Sequence, residues 1–158
     1  MEKLTFLGIG PKIARITIPY LVVTIALTLI FPAVFTFGKG PEEPLLVAGI
    51  VLLAIALALY IATLYKLVPG IRDNRLVTGG VFRLCRNPLY AALLLFLIPG
   101  IGLLLNSWII PTASILGCVA FRMYISEEED LLERLFGEEF RQYRDKTSLF
   151  FPNPFVKR

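Results

Sequence analysis

Three long stretches of the chain carry no charged side chain: Ile16 to Gly38, Pro44 to Tyr65 and Asn87 to Phe121. Charges are costly inside a bilayer, and a spanning helix needs about 20 mostly apolar residues. The first two runs therefore supply one membrane span each. The third is too long for one crossing, and Asn106-Ser107 divides it into Leu89–Leu105 and Trp108–Ile125. Composition points the same way, with 56% hydrophobic residues, 18% charged residues and a mean hydropathy of +0.73. The expected fold is all-α: an integral-membrane bundle of four transmembrane helices followed by a cytoplasmic amphipathic helix. Residues 1–70 form an N-terminal two-helix membrane region and residues 71–158 a C-terminal functional region, together one integrated domain.

Local signals refine the spans. Ile16–Phe37 is too long for the apolar core of a signal peptide, and no small-residue cleavage site follows it. Pro19 and Pro32 should kink this helix near its ends. Leu45–Tyr65 is a cleaner span. Pro99-Gly100 either kinks the third helix or turns it back, and two full crossings fit the bilayer thickness better. Lys3, Lys12 and Arg15 precede the first span, while Lys66, Arg72, Arg75, Arg83 and Arg86 follow the second. The positive-inside rule then puts both termini and this basic connection in the cytoplasm. The net charge of +4 reflects that bias. No soluble segment interleaves aromatic and basic residues, so nucleic-acid binding is not expected.

The chain has no histidine, which removes the usual metal ligand and the usual base at neutral pH. A metal site and a Ser-His-Asp hydrolase are not expected. Cys85 and Cys118 read as unpaired thiols in a reducing compartment. Two segments remain that concentrate chemistry. Leu76 to Tyr90, LVTGGVFRLCRNPLY, sets Gly79-Gly80, Arg83, Arg86 and Asn87-Pro88 between apolar runs. Pro88 suits a first helical position, Asn87 is placed to cap that helix, and a helix start flanked by arginines suits a carboxylate or phosphate. The bland alternative is a basic loop that only fixes topology. The second segment begins at Arg122 and Tyr124 and continues through Glu127, Glu128, Glu129 and Asp130. From Glu127 to Asp145 it reads as an amphipathic helix interrupted at Gly137. Ionisable residues at a membrane helix end that face a cavity point to function. An amino acid zwitterion on a larger cofactor would use both segments together.

These segments resemble the signatures of the isoprenylcysteine carboxyl methyltransferase family. LVTGGVFRLCRNPLY is similar to its Gly-x-Tyr followed by Arg-His-Pro-x-Tyr, and EEEDLLERLFGEEFRQY to its Glu-Glu-x-x-Leu followed by Phe-Gly-x-x-Tyr-x-x-Tyr. The terminal SLFFP looks like the family's closing segment, so the resemblance covers about Leu76 to Pro152. Phospholipid methyltransferases share this C-terminal plan. The resemblance implies a membrane methyltransferase that binds S-adenosyl-L-methionine between the two segments. It assigns the cofactor to Gly80, Val81, Phe82, Arg86, Asn87, Pro88, Tyr90, Tyr124, Glu128 and Glu129. Phe82 stands where the family has tyrosine, and Asn87 replaces histidine. Asn87 can still donate a hydrogen bond but cannot exchange a proton near neutral pH.

The implied acceptor is a lipophilic molecule reaching the site from the bilayer, foremost an isoprenylcysteine-type carboxylate, with a phospholipid amine as the alternative. Arg122 is the candidate to orient a carboxylate, since its planar fork matches one. Glu129 or Tyr124 would serve as the base that an amine requires. A non-catalytic membrane module or carrier is the reading from another class. Against it, no internal repeat and no mid-span ionisable residue occurs.

Overall fold

The computed structural model describes residues 8–38 and 42–150. Lys3, Phe151-Pro152 of the closing segment and Lys39 to Pro41 of the first turn lie outside the described residues. Among the described residues the structure is helical, with no strand and a single isolated bridge between Thr36 and Ser107. Helix α1 is Gly10–Ile30, α2 Pro32–Phe35 and α3 Glu43–Arg72. A 3-10 turn, Gly80–Arg83, leads into α4 (Pro88–Ala91), which continues through a π-helical segment, Ala92–Leu97, into α5 (Ile98–Leu104). Helix α6 is Thr112–Phe136 and α7 Glu138–Lys146.

Helices α1 and α3 are each long and apolar enough to cross a membrane, with mean hydropathy of 2.0 and 2.9. The run Pro88–Leu104 is apolar but shorter. Exposed Ile18, Val22, Leu29, Val47, Ile50, Leu57 and Ile61 clothe the outside of α1 and α3. In lipid such residues carry no exposure penalty, and helices associate instead through close packing and hydrogen bonds.

That packing is visible in two antiparallel pairs. Helix α1 lies along α6, with Tyr20 Oη 3.0 Å from Thr112 Oγ1 and Thr28 Oγ1 2.7 Å from Ser107 Oγ. Helix α3 lies along α5 through glycines. A Cβ on Gly49 would sit 3.1 Å from the Gly100 carbonyl oxygen, and one on Gly100 3.3 Å from that of Gly49. Ile13, Leu94, Ile98, Ile110, Phe121 and Ile125 fill the space between the pairs.

The helix ends differ from the sequence expectation in instructive ways. Pro32 breaks the first helix rather than kinking it. Phe31, the residue before it, takes φ −124° and ψ 59°, because a following proline disfavours helical dihedrals. Pro19, by contrast, is carried within α1. Helix α3 does not stop with its apolar run at Tyr65 but continues to Arg72, so Leu67 and Ile71 reach the functional end of the bundle. The chain does not turn back at Pro99-Gly100. The helix passes through them, and the adjustment to proline lies just before, where the π-helical segment opens the ladder. Asn106, at φ +52°, makes the reversal between α5 and α6. The fourth helix begins at Thr112 rather than Trp108, and it runs past the acidic cluster to Phe136 without a break.

The two ends of the bundle are built differently. At one, Phe37 N–H donates to the Asn106 carbonyl, Trp108 N–H to Phe35 O, and the Trp108 indole to Val34 O at 3.0 Å. This closes that end with backbone pairing. The other end carries the arginines and the acidic run Glu127–Asp130.

Candidate functional site

The charged end is assembled from five parts of the chain. Leu67 and Ile71 of α3, Arg75–Val77 after it, Phe82, Arg86 and Asn87, the stretch of α6 from Ile125 to Phe136, and Phe140 and Tyr143 of α7 line one cavity. Its volume is about 110 Å³. It shares Arg75, Leu76, Val77 and Phe136 with a wider open groove of about 1010 Å³ on the flank of α3.

Arg86 is the centre of this construction. Its Nη2 and Nε donate to Glu129 Oε1 at 2.8 and 3.1 Å. Its Nη1 donates to the Arg144 carbonyl at 2.7 Å and to the Thr147 carbonyl. The two side chains retain only 12% and 21% exposure, so the pair sits in a medium that screens it poorly. Backbone pairing extends the same join: Arg86 N–H donates to Ser148 O at 2.8 Å and Asn87 N–H to Leu149 O at 3.2 Å. The end of α7 is thereby fastened to the start of α4.

Asn87 does not cap α4 with its side chain, correcting the expectation from Asn-Pro. Its carbonyl accepts from Ala91 N–H, and its amide lines the cavity without a hydrogen bond among the described residues. That leaves two donors and an acceptor for a ligand.

Glu128 also lines the cavity, yet it is partly occupied. Its Oε2 accepts from the Ile9 N–H and from the Tyr90 hydroxyl, both at 3.3 Å. Burial raises its carboxyl above the ordinary value, and neighbouring Glu129 adds to that, while the bonds from Ile9 and Tyr90 oppose it. Beside it, Glu127 pairs with Lys12, whose ammonium lies 5.3 Å from the Tyr124 ring centroid. The start of α1 is thus docked on the acidic segment.

Of the residues singled out from sequence, Phe82, Arg86, Asn87, Glu128 and Glu129 come together around the cavity. Gly80, at φ +64°, and Val81 stand on the outer side of the 3-10 turn instead. Pro88 is buried as the first residue of α4. Tyr90 packs at a tilt against Phe121, with ring centroids 5.2 Å apart, and reaches the cavity through Glu128. Tyr124 faces Lys12. Arg122 is exposed on α6 and makes no ion pair among the described residues; Glu129, its neighbour two turns on, is held by Arg86. Cys85 is buried, which raises its thiol, and it does not line the cavity.

Other contributors were not singled out from sequence. Tyr143 donates its hydroxyl to the Phe82 carbonyl at 2.7 Å, and burial raises its phenol. Leu67, Ile71, Phe136 and Phe140 supply apolar wall. The amphipathic spacing of Phe136, Phe140 and Tyr143 was the signal for them. Nothing local marked Leu67 or Ile71 as more than membrane span. Glu133 braces the Gly137 corner, accepting from Arg141 at 2.6 Å and Arg144 at 2.8 Å, and these bonds lower its carboxyl.

Chemically, an unpaired amide, two carboxylates and an apolar wall suit a ligand with a small zwitterionic end and a larger apolar or aromatic body. No group of three or more metal-ligating side chains occurs among the described residues. No curated protein matches the chain. The model of the phospholipid methyltransferase family matches residues 44–139, from the start of α3 to the start of α7. That match takes in more than half of the chain and every cavity-lining residue except Phe140 and Tyr143, and the chain belongs to the phospholipid methyltransferase family of membrane methyltransferases.

Proposed function

We propose that the protein uses S-adenosylmethionine to methylate the amine of a membrane phospholipid. In this reading it spans the bilayer four times, with α7 as a cytoplasmic amphipathic helix and both termini on that side. The N-terminal two helices serve as a membrane platform for residues 71–158. The observation that carries the reading is the convergence of Asn87, Glu128 and Glu129 on one cavity at the charged end of the bundle. The donor set fits the methionine end of the cofactor. Asn87 would donate to its carboxylate, the glutamates would balance its ammonium and sulfonium, and Phe82, Phe136 and Phe140 would pack against its apolar parts. When bound, the cofactor supplies a methyl group on a positively charged sulfur.

The residues of the chain have two tasks. They hold donor and acceptor in line, and they keep the site dry. An amine acceptor must also lose a proton, and Glu128, whose carboxyl is raised by burial, is suited to receive it. This favours an amine over the isoprenylcysteine-type carboxylate. Arg122, the residue suited by sequence to orient a carboxylate acceptor, stands outside the cavity.

The test is titration calorimetry of S-adenosylmethionine against the purified protein in detergent, with Asn87→Ala and Glu129→Gln alongside. Binding that weakens in both variants supports the site, and unchanged affinity overturns it. Methyl uptake from labelled cofactor into phosphatidylethanolamine, rather than into a prenylated thiol acid, would fix the acceptor as an amine.

A further inference from the structure

The wide groove on the flank of α3 is not used by the cofactor site just described. Its wall contains Leu64, Tyr65, Val68 and Pro69, and Tyr65 is 75% exposed. These residues lie at the end of the uncharged run Pro44–Tyr65, and Lys66 is the first cation after it. A lysine at that position stands at the level of lipid phosphates, with its stem along the apolar surface and its ammonium in the headgroup layer.

Three features make Lys66 more than a topology marker. It lines the groove, and its ammonium has no carboxylate partner among the described residues, only the Tyr65 ring at 5.5 Å. Its stem lies along Gly80. A Cβ there would sit 3.4 Å from Lys66 Cε and 3.5 Å from Cγ, so the glycine lets the side chain lie close to the 3-10 turn. Finally, the groove leads inward. Arg75 lines both groove and cavity, and among the described residues its ion pair is with exposed Asp73 at 2.8 Å. Glu139 of α7 completes the groove with one negative charge. Lys66 and Arg75 thus offer a phosphodiester two cations along the groove, and the cavity beyond Arg75 offers the carboxylates Glu128 and Glu129 to an ammonium joined to it by a short linker.

We propose that this groove is the docking site of the acceptor phospholipid, with Lys66 and Arg75 holding its phosphodiester and the apolar face of α3 its acyl chains. The amine end is then directed past Arg75 toward Glu128. This deepens the functional reading given above, because the docked lipid is the methyl acceptor. Lys66 becomes a specificity residue: it reads the phosphate, not the amine.

The experiment reads lipid retention without cofactor, so it stands apart from the test of methyl transfer. Native mass spectrometry of the purified protein would compare phosphatidylethanolamine with diacylglycerol of the same acyl chains, in wild type, Lys66→Gln and Lys66→Arg. The expected result is retention of phosphatidylethanolamine over diacylglycerol, weakened about tenfold by Lys66→Gln and kept by Lys66→Arg, as loss of one charge-assisted contact would give. Cofactor affinity should not move in either variant, since Lys66 lies outside the cavity. Equal retention of the two lipids, or unchanged retention in Lys66→Gln, overturns the proposal. So does displacement of the lipid by millimolar inorganic phosphate as readily as by phosphatidylethanolamine vesicles, which would make the groove a simple anion site.

Discussion

Arg86 and Glu129, 43 positions apart, meet at 2.8 Å beside the cavity. The same guanidinium is donor-only and offers its Nη1 to the Arg144 and Thr147 carbonyls, so one side chain joins the start of α4 to α6 and α7. Position in the sequence separates these elements; the half-buried ion pair brings them into one site.

Breaking that pair should cost more than an exposed salt bridge would. Arg86→Gln leaves Glu129 poorly compensated and takes a charged donor from the Arg144 and Thr147 carbonyls, and roughly 3 kcal/mol of stability should be lost. Glu129→Gln should cost less, since the amide oxygen still accepts from Arg86. Thermal unfolding in detergent checks both, and a double-mutant cycle should return a coupling of about 0.5–3 kcal/mol. Additivity would mean that the pair is incidental.

Asn87→Ala separates binding from folding. Because the Asn87 side chain makes no capping bond, the variant should melt within about 0.5 kcal/mol of wild type, as a substitution away from structural features does. Its affinity for S-adenosylmethionine should nonetheless fall about tenfold, the worth of a hydrogen bond to a charged group. Calorimetry and a melting curve on the same sample read the two effects.

Glu128 gives a pH signature. Its folded carboxyl is raised above the ordinary value of 4.5, so the folded state binds its proton more tightly than the unfolded state. Stability from this group is therefore highest at low pH and is lost as pH rises from the ordinary carboxylate range through the raised folded value. Glu128→Gln should flatten that dependence, with the variant gaining on wild type as pH increases. In the methylation assay the wild-type rate should climb over the same interval, because only the ionised carboxylate can take a proton. A Glu128→Gln enzyme that keeps this climb would remove Glu128 from the role of base.

Two glycines should be intolerant for different reasons. Gly137 takes φ +54° and ψ −123°, a conformation that L side chains avoid, although open space surrounds it. Gly137→Ala should cost about 1–3 kcal/mol and loosen α7. Gly100→Leu acts by bulk instead, since a side chain there meets Leu53 and the Gly49 carbonyl. It should force α3 and α5 apart and lower the yield of folded protein in detergent, read by size-exclusion chromatography.

How far the sequence could be read varies from element to element. The uncharged runs marked α1 and α3 because burying charge in lipid is costly, and that rule needs no tertiary context. Helix ends were harder. Phe31 and the π-helical segment depend on how each proline's lost donor is accommodated, while α3 continues past Tyr65 for the sake of contacts with the loop that follows it. At the site, residue type and order pointed to Arg86, Asn87, Glu128 and Glu129, and these do line one cavity. Tyr90 and Tyr124 belonged to the same motifs, yet Tyr90 meets Glu128 and Tyr124 meets Lys12. A motif names the residues but not the direction each side chain takes.

The sequence by itself determined that the chain would be helical and apolar, that its charges would gather at the helix ends, and which short segments carry polar chemistry. These follow from local composition and from the cost of placing charge in lipid. Only the tertiary structure decided that Leu67 and Ile71 are wall rather than plain span, that Asn87 is left free while Glu128 is partly engaged, and that Arg86 spends its donors on α7. Those outcomes depend on which distant groups come within about 3 Å of one another, because hydrogen bonds, including those within an ion pair, weaken steeply beyond that distance.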